Sequence, residues 1–463
     1  VALRSDGKVE AVGLTATGGT VGTPVVYEAA DVLYMNTVYD STNNKIVIIY
    51  KDSGNSNYGT AIVGTVSGTS ISFGSPVVWN SATSSYMSST FHPNYNKVVV
   101  AYADGGASYN GKAIVGTVSG TSISFGSAAT FESGGTAYQM SLSFDSTTNK
   151  ILIAYLDNAA GQKGQVVVGT VSGTSISFGA ISIFNNAATD YVSSTYDSSN
   201  NRGVIFYTAS TNSNYGTAIV FSVSGTSVSL GSAVVYNSSF TAYPSAVFDT
   251  TSNKVVNAYY NNGKGAAIVG TVSGTSISFG TPAQYSASAS WNYAAYDSSA
   301  NKVVIVYRDS VSSDQGSVIS ATVSGTDITF GAITKFANLI NGNTLTCAYD
   351  TTSKQVIINY RDGNNSYYGT AVTYTANSTS TNVSSYVGIT DQAISSAATG
   401  KVVCKGGAIT NTGLIPLAPV AGTVVTFDSS STNYTDCAFD SNANKIVIAY
   451  QDSGNSGYGT AIV

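Results

Sequence analysis

Charged residues are scarce in this chain. Asp, Glu, Lys and Arg make up 9% of its 463 residues, against about a quarter of an average globular protein. The formal net charge is −5 and no basic cluster occurs, so the sequence predicts no nucleic-acid partner and no attraction to anionic lipid. No run of about 20 apolar residues occurs either, which argues against insertion into a membrane.

Cysteine is equally sparse, with three residues, Cys347, Cys404 and Cys437. Their spacing matches no metal-ligand motif, and an odd number cannot form a complete set of disulfides within one chain. Cys347 and Cys437 occupy the same position in two copies of the repeat described below, where other copies carry Thr, Ser or Ala. We therefore expect buried, inert thiols and no metal site.

The residues that most hydrolases need are also few. Glycoside hydrolysis uses paired carboxylates, but the chain has only three Glu, and a sialidase-like site would need several converging Arg, of which there are four. The one His, His92, stands at a turn with no nucleophile paired to it. The sequence therefore predicts neither an enzyme nor a cofactor. The Glu and Arg residues are Glu10, Glu28, Glu132, Arg4, Arg202, Arg308 and Arg361.

The chain instead contains a repeat of about 52 residues. Eight copies share an aromatic residue, usually an Asp, a polar turn and an apolar run that ends in Tyr, and residues 39–50 are the clearest copy. Seven copies follow one another at nearly constant spacing, and the eighth comes 90 residues after the seventh. The copies begin at Tyr39, Phe91, Phe144, Tyr196, Phe248, Tyr296, Tyr349 and Phe439.

Each copy predicts four short strands, which we call a to d. Apolar or alternating runs are separated by clusters of Gly, Asn, Asp and Ser at strand-length spacing. In the first copy the spacing predicts strand a at residues 34–39, strand b at 45–50, strand c at 60–66 and strand d at 71–79. Gly68 stands where a tight c–d hairpin needs a positive φ.

Strand b is apolar on both faces, so neighbouring layers must cover both. The sequence therefore predicts an all-β protein, a β-propeller of four-stranded blades. A segment like strand d, residues 22–27, precedes the first strand a, and the seventh copy lacks a strand d. We expect the N-terminal strand to complete the seventh blade and close a seven-bladed ring without free edges. An eight-bladed single ring with an insertion at residues 377–426 is the alternative.

These predictions divide the chain into three parts. Residues 1–376 are the predicted seven-bladed propeller, residues 377–426 a small β-rich module or linker, and residues 427–463 a partial further repeat. The chain begins with Val1, stops inside a repeat and shows no signal peptide. We expect a processed or trimmed piece of a longer polypeptide.

Aspartates follow strand b in six copies, and residues 52–57 are rich in oxygen-bearing side chains. Such segments are typical of calcium loops. One Asp per hairpin is also what an Asx turn requires, because the carboxylate accepts hydrogen bonds from nearby backbone N–H groups. We expect turn capping and no metal. The aspartates are Asp52, Asp104, Asp157, Asp309, Asp362 and Asp452.

An aromatic residue opens strand a in most copies, six or seven residues before the turn. The start of strand a and the end of strand b share one edge of an antiparallel meander, so we expect these rings to gather beside the b–c loops. Aromatic faces among amides and hydroxyls suit sugar rings, and packing between blades is the alternative. The strand residues are Tyr34, Tyr86, Tyr138, Tyr191, Tyr243, Trp291 and Tyr434, and the loop residues are Tyr58, Tyr109, Tyr215, Tyr367, Tyr368 and Tyr458.

One sequence string is distinctive. Gly-Thr-Val-Ser-Gly-Thr-Ser-Ile-Ser-Phe-Gly recurs from Gly116, Gly169 and Gly270. With residues 386–390 and 398–403, it resembles the tail-fibre and other virion-surface proteins of marine bacteriophages and their prophage relatives, over nearly the whole chain. The resemblance implies a location on a virion surface or otherwise outside the cell. The chain departs from that pattern where a partial repeat follows residues 377–426.

The sequence thus predicts a non-enzymatic virion-surface or fibre protein that binds host-surface glycans through a Tyr-rich propeller face. One alternative is a structural building block of an extracellular filament with no small ligand, and another is a secreted bacterial adhesin. The expected partners are a host-surface polysaccharide or other virion or filament subunits, in a homo-oligomer or a larger assembly.

Overall fold

The structure is a computed structural model that describes residues 18–376, with Ala2–Leu3, Val9–Glu10, Thr432–Asp440, Lys445–Asp452, Ser456 and Tyr458–Ile462. Side chains are described for residues 18–340 and 345–376. The described residues form antiparallel strands joined by turns, with almost no helix, which confirms the all-β prediction. No helix among them is long and apolar enough to span a bilayer.

Seven consecutive repeats make up the unit from Thr17 to Ser378. Strand b is Lys45–Asp52, Lys97–Asp104, Lys150–Asp157, Arg202–Ala209, Lys254–Asn261, Lys302–Asp309 and Gln355–Asp362 in turn. Strand c is Tyr58–Ser67, Asn110–Ser119, Lys163–Ser172, Tyr215–Ser224, Lys264–Ser273, Gln315–Ser324 and Tyr368–Thr375. A 3₁₀ turn, Gly105–Ala107, follows the second strand b.

Strand d differs from its prediction because it consists of two pieces. The outer piece is short, and the inner piece runs into strand a of the next repeat. Gly74 and Pro76 separate the pieces in repeat 1, and a Cβ on Gly74 would lie 1.9 Å from the carbonyl oxygen of Thr121 in the next hairpin. The outer pieces are Thr20–Val21, Ser70–Phe73, Ser122–Phe125, Ser175–Phe178, Ser227–Leu230, Ser276–Phe279 and Asp327–Phe330. The inner pieces and strands a are Val25–Asp40, Val77–His92, Ala129–Glu132 with Ala137–Asp145, Ser182–Asp197, Val234–Asp249, Ala283–Ser286 with Ser290–Asp297, and Thr334–Ala337 with Ile340–Asp350.

The sheets bury strand b on both faces, as its sequence predicts. In repeat 1 Ile46, Val47, Ile48, Ile49 and Tyr50 are fully buried, and each fully buried aliphatic side chain contributes about 1.5–3 kcal/mol to stability. The hydrophobic clusters consist of residues from adjacent repeats, so each sheet packs against its neighbours.

An aromatic residue of strand d lies directly over a glycine of strand c in every repeat. A Cβ on Gly59 would lie 2.5 Å from the ring of Trp79, so only glycine leaves room for the ring. The equivalent pairs are Gly111 with Phe131, Gly164 with Phe184, Gly216 with Tyr236, Gly265 with Tyr285, Gly316 with Phe336 and Gly369 with Tyr27.

The last of these pairs joins the two ends of the unit. Strand c of repeat 7 pairs with the N-terminal strand, Tyr368 opposite Asp31 and Ala371 opposite Val25. Thr20 and Val21 extend the pairing further out. The expected pairing of the N-terminal strand with the seventh repeat is therefore present. The Arg361 guanidinium donates to both oxygens of Asp31, at 2.6 and 2.9 Å, across the same junction.

Hydrogen bonds also link each a–b turn to the a–b turn of the next repeat, or to the adjoining end of its strand a, and link repeat 7 to repeat 1. Thr352 of repeat 7 donates to Asn44 of repeat 1 at 2.7 Å, and Asn43 of repeat 1 donates to Asn96 of repeat 2 at 3.1 Å. The other links are Asn94 to Asn149, Thr147 to Asn201, Ser199 to Asn253, Thr251 to Asn301 and Ser299 to Tyr349.

His92 occupies the turn position that Asp fills in the other six repeats of this unit. It is fully buried, it stacks on Tyr95 with ring centroids 4.4 Å apart, and its Nδ1 has no hydrogen-bond partner. Nε2 lies 3.4 Å from the carbonyl oxygen of Asn149. Burial lowers the pKa of His92 below its ordinary value of 6.5, so the folded chain holds this side chain neutral.

We predict that the free energy of unfolding falls as the pH drops below about 6.5. Below that pH His92 takes up a proton in the unfolded chain but stays neutral in the folded chain. His92→Asp should abolish this dependence between pH 7 and pH 5, since Asp40 caps the same turn by accepting from Thr42 and Asn43 N–H at 3.0 Å. Urea titrations of both proteins at pH 7 and pH 5 provide the measurement. An equal loss of stability in both proteins would contradict the assignment.

Residues 1–16 and 379–463 form a separate compact unit. In it, Ala2–Leu3 pairs with Val9–Glu10. Three further strands pair in the order and register of strands a, b and c, and they are Thr432–Asp440, Lys445–Asp452 and Tyr458–Ile462. The pairing register of the first strand shifts between Asn433 and Asp436, as it shifts between Leu33 and Asn36 in repeat 1. The predicted module at residues 377–426 and the side chains of Tyr434, Tyr458, Cys404 and Cys437 lie outside the described residues.

Candidate functional site

Strand a carries a β-bulge near its start. In repeat 1 Leu33 pairs with Lys51 and Asn36 with Ile49, so Tyr34 and Met35 together oppose one residue of strand b. A bulge bends the strand and re-aims the side chains in it. Repeats 2 to 6 have the same shift. The first bulge residue has a left-handed φ, between 43° and 55°, and is Tyr34, Tyr86, Gln139, Tyr191, Tyr243 or Trp291.

Aromatic residues are unusual in this backbone conformation, which costs a bulky side chain on the order of 1–3 kcal/mol. Two other sets of left-handed positions are filled mostly by residues that tolerate them, although Tyr109 and Tyr367 in the b–c loops are left-handed as well. The a–b turns use Asn, as at Asn44 with φ 53°, and the c–d hairpins use Gly, as at Gly68 with φ 57°. Five of the six bulges therefore keep an aromatic side chain where Asn or Gly would be less strained.

The five bulge aromatics, together with Tyr138 of repeat 3, form two chains of ring contacts. Tyr34 and Tyr86 have ring centroids 4.9 Å apart, and Tyr86 and Tyr138 4.6 Å apart. In the second chain the ring centroid of Tyr243 lies 4.5 Å from that of Tyr191 and 4.1 Å from that of Trp291. The five bulge rings are each half-buried, so one part of every ring packs against protein and another part faces solvent.

These residues surround a cavity of about 410 Å³ that is lined by strand a of repeats 1 to 6. That volume lies within the usual range of ligand pockets, roughly 300–1,000 Å³. Burial raises the pKa of Tyr86 and of Tyr243 well above the ordinary value for tyrosine, so both phenols are neutral at physiological pH. None of the lining side chains that the structure describes is charged.

Among the predicted strand residues whose side chains are described, Tyr138 is placed differently. It pairs with Leu156 before the bulge begins, and the next residue, Gln139, takes the bulge position. Tyr138 stands seven residues before the turn, whereas the other aromatics stand six before it. Its ring contacts Tyr86, but it is Gln139 that lines the cavity.

The predicted loop tyrosines lie on the b–c loops but have no ring contact with the bulge aromatics among residues 18–376. Tyr109 and Tyr367 also have left-handed φ, 60° and 65°, and are exposed. The Arg361 guanidinium lies 4.0 Å from the centroid of Tyr367. Tyr58, Tyr215 and Tyr368 are half-buried at the start of strand c.

We call the ring of bulge aromatics the mouth of the cavity. Two positions further along strand a, a belt of polar side chains joins strand a of one repeat to strand a of the next. Ser88 Oγ accepts from the Leu142 backbone N–H at 3.2 Å, and Ser193 Oγ from Ala246 N–H at 3.0 Å. Sequence reasoning missed this belt and Gln139. The available signal was the short polar residue two positions after the bulge aromatic. The other acceptors are Asn36, Ser141 and Ser245.

The repeated aspartates cap turns, as the Asx interpretation predicted. Asp52 accepts from Asn55 N–H at 3.1 Å, and Asp104 from Gly106 N–H at 3.0 Å. Asp157, Asp309 and Asp362 accept in the same way. Within the part of the chain that the structure describes, no three His, Cys, Asp or Glu side chains come together as metal ligands.

Several residues considered for catalysis form hydrogen bonds or ion pairs with other side chains of the fold. Tyr155 OH donates to Glu132 at 3.2 Å, and Tyr50 OH donates to Glu28 at 2.9 Å. Arg308 forms an ion pair with Asp314 at 3.3 Å. Burial raises the pKa of the Cys347 thiol, in line with an inert side chain.

No protein-family model matches the sequence, and no curated protein is similar to it. Solved structures with a similar all-β fold include a lectin and an oxidase. The BP39L lectin from Burkholderia pseudomallei has a TM-score of 0.56 at 10% identity, over 76% of this chain and 97% of that one. A fungal alcohol oxidase of the AA5 family, in complex with copper, has a TM-score of 0.52 at 9% identity, over 78% and 77%. At these identities the likeness shows the fold alone.

Proposed function

We propose that residues 18–376 form a closed seven-bladed β-propeller that binds a saccharide at its axial mouth without catalysing a reaction. Two features support the closed ring. The N-terminal strand takes the place of strand d in repeat 7, and hydrogen bonds at the a–b turns link the seven repeats in a cycle. The lectin BP39L shares the fold, so an architecture of this kind is compatible with carbohydrate binding.

The observation that carries the proposal is the placement of aromatic residues in strained bulges around one cavity. Strain that persists at equivalent positions of several repeats indicates a function for the side chain. Half-buried rings offer flat apolar faces, and the amides and hydroxyls beneath them offer hydrogen bonds. Sugar rings present the matching combination of apolar faces and polar edges.

The chain is also proposed to act outside the cell. The resemblance to virion-surface proteins supports a chain that is displayed outside the cell, on a virion or fibre, with the mouth directed at a host-surface polysaccharide. A homo-oligomer would present several such mouths together and raise the avidity for a repetitive polysaccharide.

A glycan array tests the proposal. We expect saturable binding to a defined surface saccharide, with no change on adding a calcium chelator, because the aspartates serve as turn caps. A blank array at high protein concentration would rule out the saccharide site. Binding that disappears with the chelator would instead show that a metal ion takes part in recognition.

The second candidate function is a building block of an extracellular filament. The outer edge of the sheets favours this filament function. Strand d exposes an apolar β-branched residue at the same position in four repeats, and such residues suit contacts with a neighbouring copy of the chain. Assembly without any saccharide ligand, measured by light scattering as a function of protein concentration, would favour this function. These residues are Val26, Val78, Ile183 and Val235, each 41–46% exposed.

A further inference from the structure

Several polar groups that line the axial cavity have a hydrogen-bond donor without a partner in the described part of the chain. Asn36 Oδ1 already accepts from the backbone N–H of Ser89 at 3.1 Å and from its hydroxyl at 2.6 Å. A backbone N–H can only donate, so the oxygen of the amide must face it and the NH₂ group must face away. The Asn36 NH₂ has no partner among the described residues.

Two further amides of the lining are oriented in the same way. Gln139 Oε1 accepts from the backbone N–H of Tyr191, which leaves the Gln139 NH₂ free to donate. Asn292 Oδ1 accepts from the Tyr285 hydroxyl at 2.5 Å. Asn292 is only 2% exposed, and its Nδ2 has no partner in the described part of the chain. An unpaired buried donor costs about 1–3 kcal/mol, so this NH₂ group indicates a missing acceptor.

The serine belt adds hydroxyl donors. Ser88, Ser193 and Ser245 each accept a backbone N–H at 2.9–3.2 Å. A hydroxyl that accepts still has its own proton to donate, and no described acceptor takes these three protons. The described residues of the cavity lining include no carboxylate, so the donors without a partner would be satisfied by acceptors from a ligand.

We infer that the axial cavity takes an oxyanion of the saccharide, a carboxylate or a sulfate ester. This inference rests on the proposed saccharide site and names the substrate class. A sugar hydroxyl also brings a proton that needs an acceptor, whereas an oxyanion only accepts. At the rim the Lys51 ammonium lies 5.5 Å from the ring centroid of Tyr34 and adds a positive charge.

The test uses an array on which every acidic saccharide is printed beside its neutralised counterpart, methyl-esterified for a uronate and desulfated for a sulfate ester. We expect the acidic form to bind at least tenfold more tightly. The pair that shows this difference identifies the carboxylate or the sulfate as the anion. Equal or tighter binding of the neutral form would overturn the inference and leave the proposed saccharide site standing. A blank array would remove both.

Asn36→Asp is the matched variant. Asp still accepts from Ser89, so the junction between repeats 1 and 2 is kept, but a carboxylate oxygen replaces the donating NH₂. We expect at least a tenfold loss of affinity for the acidic saccharide and little change for a neutral one. Asn253→Asp is the control, because Asn253 Oδ1 accepts from Ser199 at 2.6 Å in an a–b turn outside the cavity lining. An equal loss in both variants, or in neither, would contradict a donor role for Asn36.

Discussion

Replacing Tyr86 and Tyr191 by Asn is expected to abolish saccharide binding while the protein stays folded. Each ring packs on a neighbour in the mouth, and a stacked sugar should lose about 1.4 kcal/mol or more per ring, which is tenfold in affinity. We therefore expect at least a hundredfold loss for the double variant. Asn tolerates the left-handed backbone that these residues adopt, at φ 52° and 49°, so relief of strain offsets the lost ring contacts.

Calorimetric titration measures the affinity, and thermal unfolding measures the stability. Tyr95→Asn is the control, since Tyr95 is an exposed aromatic residue of an a–b turn. A double variant that binds like the wild type would mean that the rings serve only to pack against each other. A double variant that unfolds would mean that the bulges require aromatic residues for stability.

Tyr27→Ala should destabilise the propeller unit by about 3–5 kcal/mol, the usual cost of deleting a buried aromatic side chain. Tyr27 is 7% exposed, and its ring lies 5.3 Å from that of Tyr50 and 5.6 Å from that of Phe73. It also covers Gly369 of the last repeat. Loss of this ring therefore weakens the junction at which the N-terminal strand joins repeat 7.

Val26→Ala is the neighbouring control on the same strand. Val26 is 42% exposed, so its truncation should change the stability by no more than about 0.5 kcal/mol. Denaturant titration of both variants gives the comparison. Similar small effects in the two variants would show that residues 25–31 do not complete repeat 7 in solution.

The sequence predicts the repeat and its strands because each carries a local signal. Buried strands b show as apolar runs, and the c–d hairpins show as Gly68 and its equivalents. The similarity of residues 22–27 to strand d also predicts the N-terminal pairing. A further sequence signal marks the contact between strands c and d. Each strand c has a Gly where strand d brings an aromatic ring, as with Gly59 and Trp79.

Features that depend on contacts between strands could not be predicted in this way. The bulge follows from the pairing of strands a and b, so the sequence alone did not separate Tyr138 from Gln139. The donor character of the cavity depends on which atom of Asn36 faces Ser89, and that is fixed by the neighbouring repeat. The break in strand d at Gly74 likewise reflects the approach of Thr121 from the next hairpin.

Calorimetric titration of the whole chain with the saccharide that it binds on the array is the sharpest test of a single axial site. The described lining residues of six repeats surround one cavity, so we expect one saccharide bound per chain at saturation. A ratio of five or more saccharides per chain would place the binding sites on the individual repeats and would contradict an axial site.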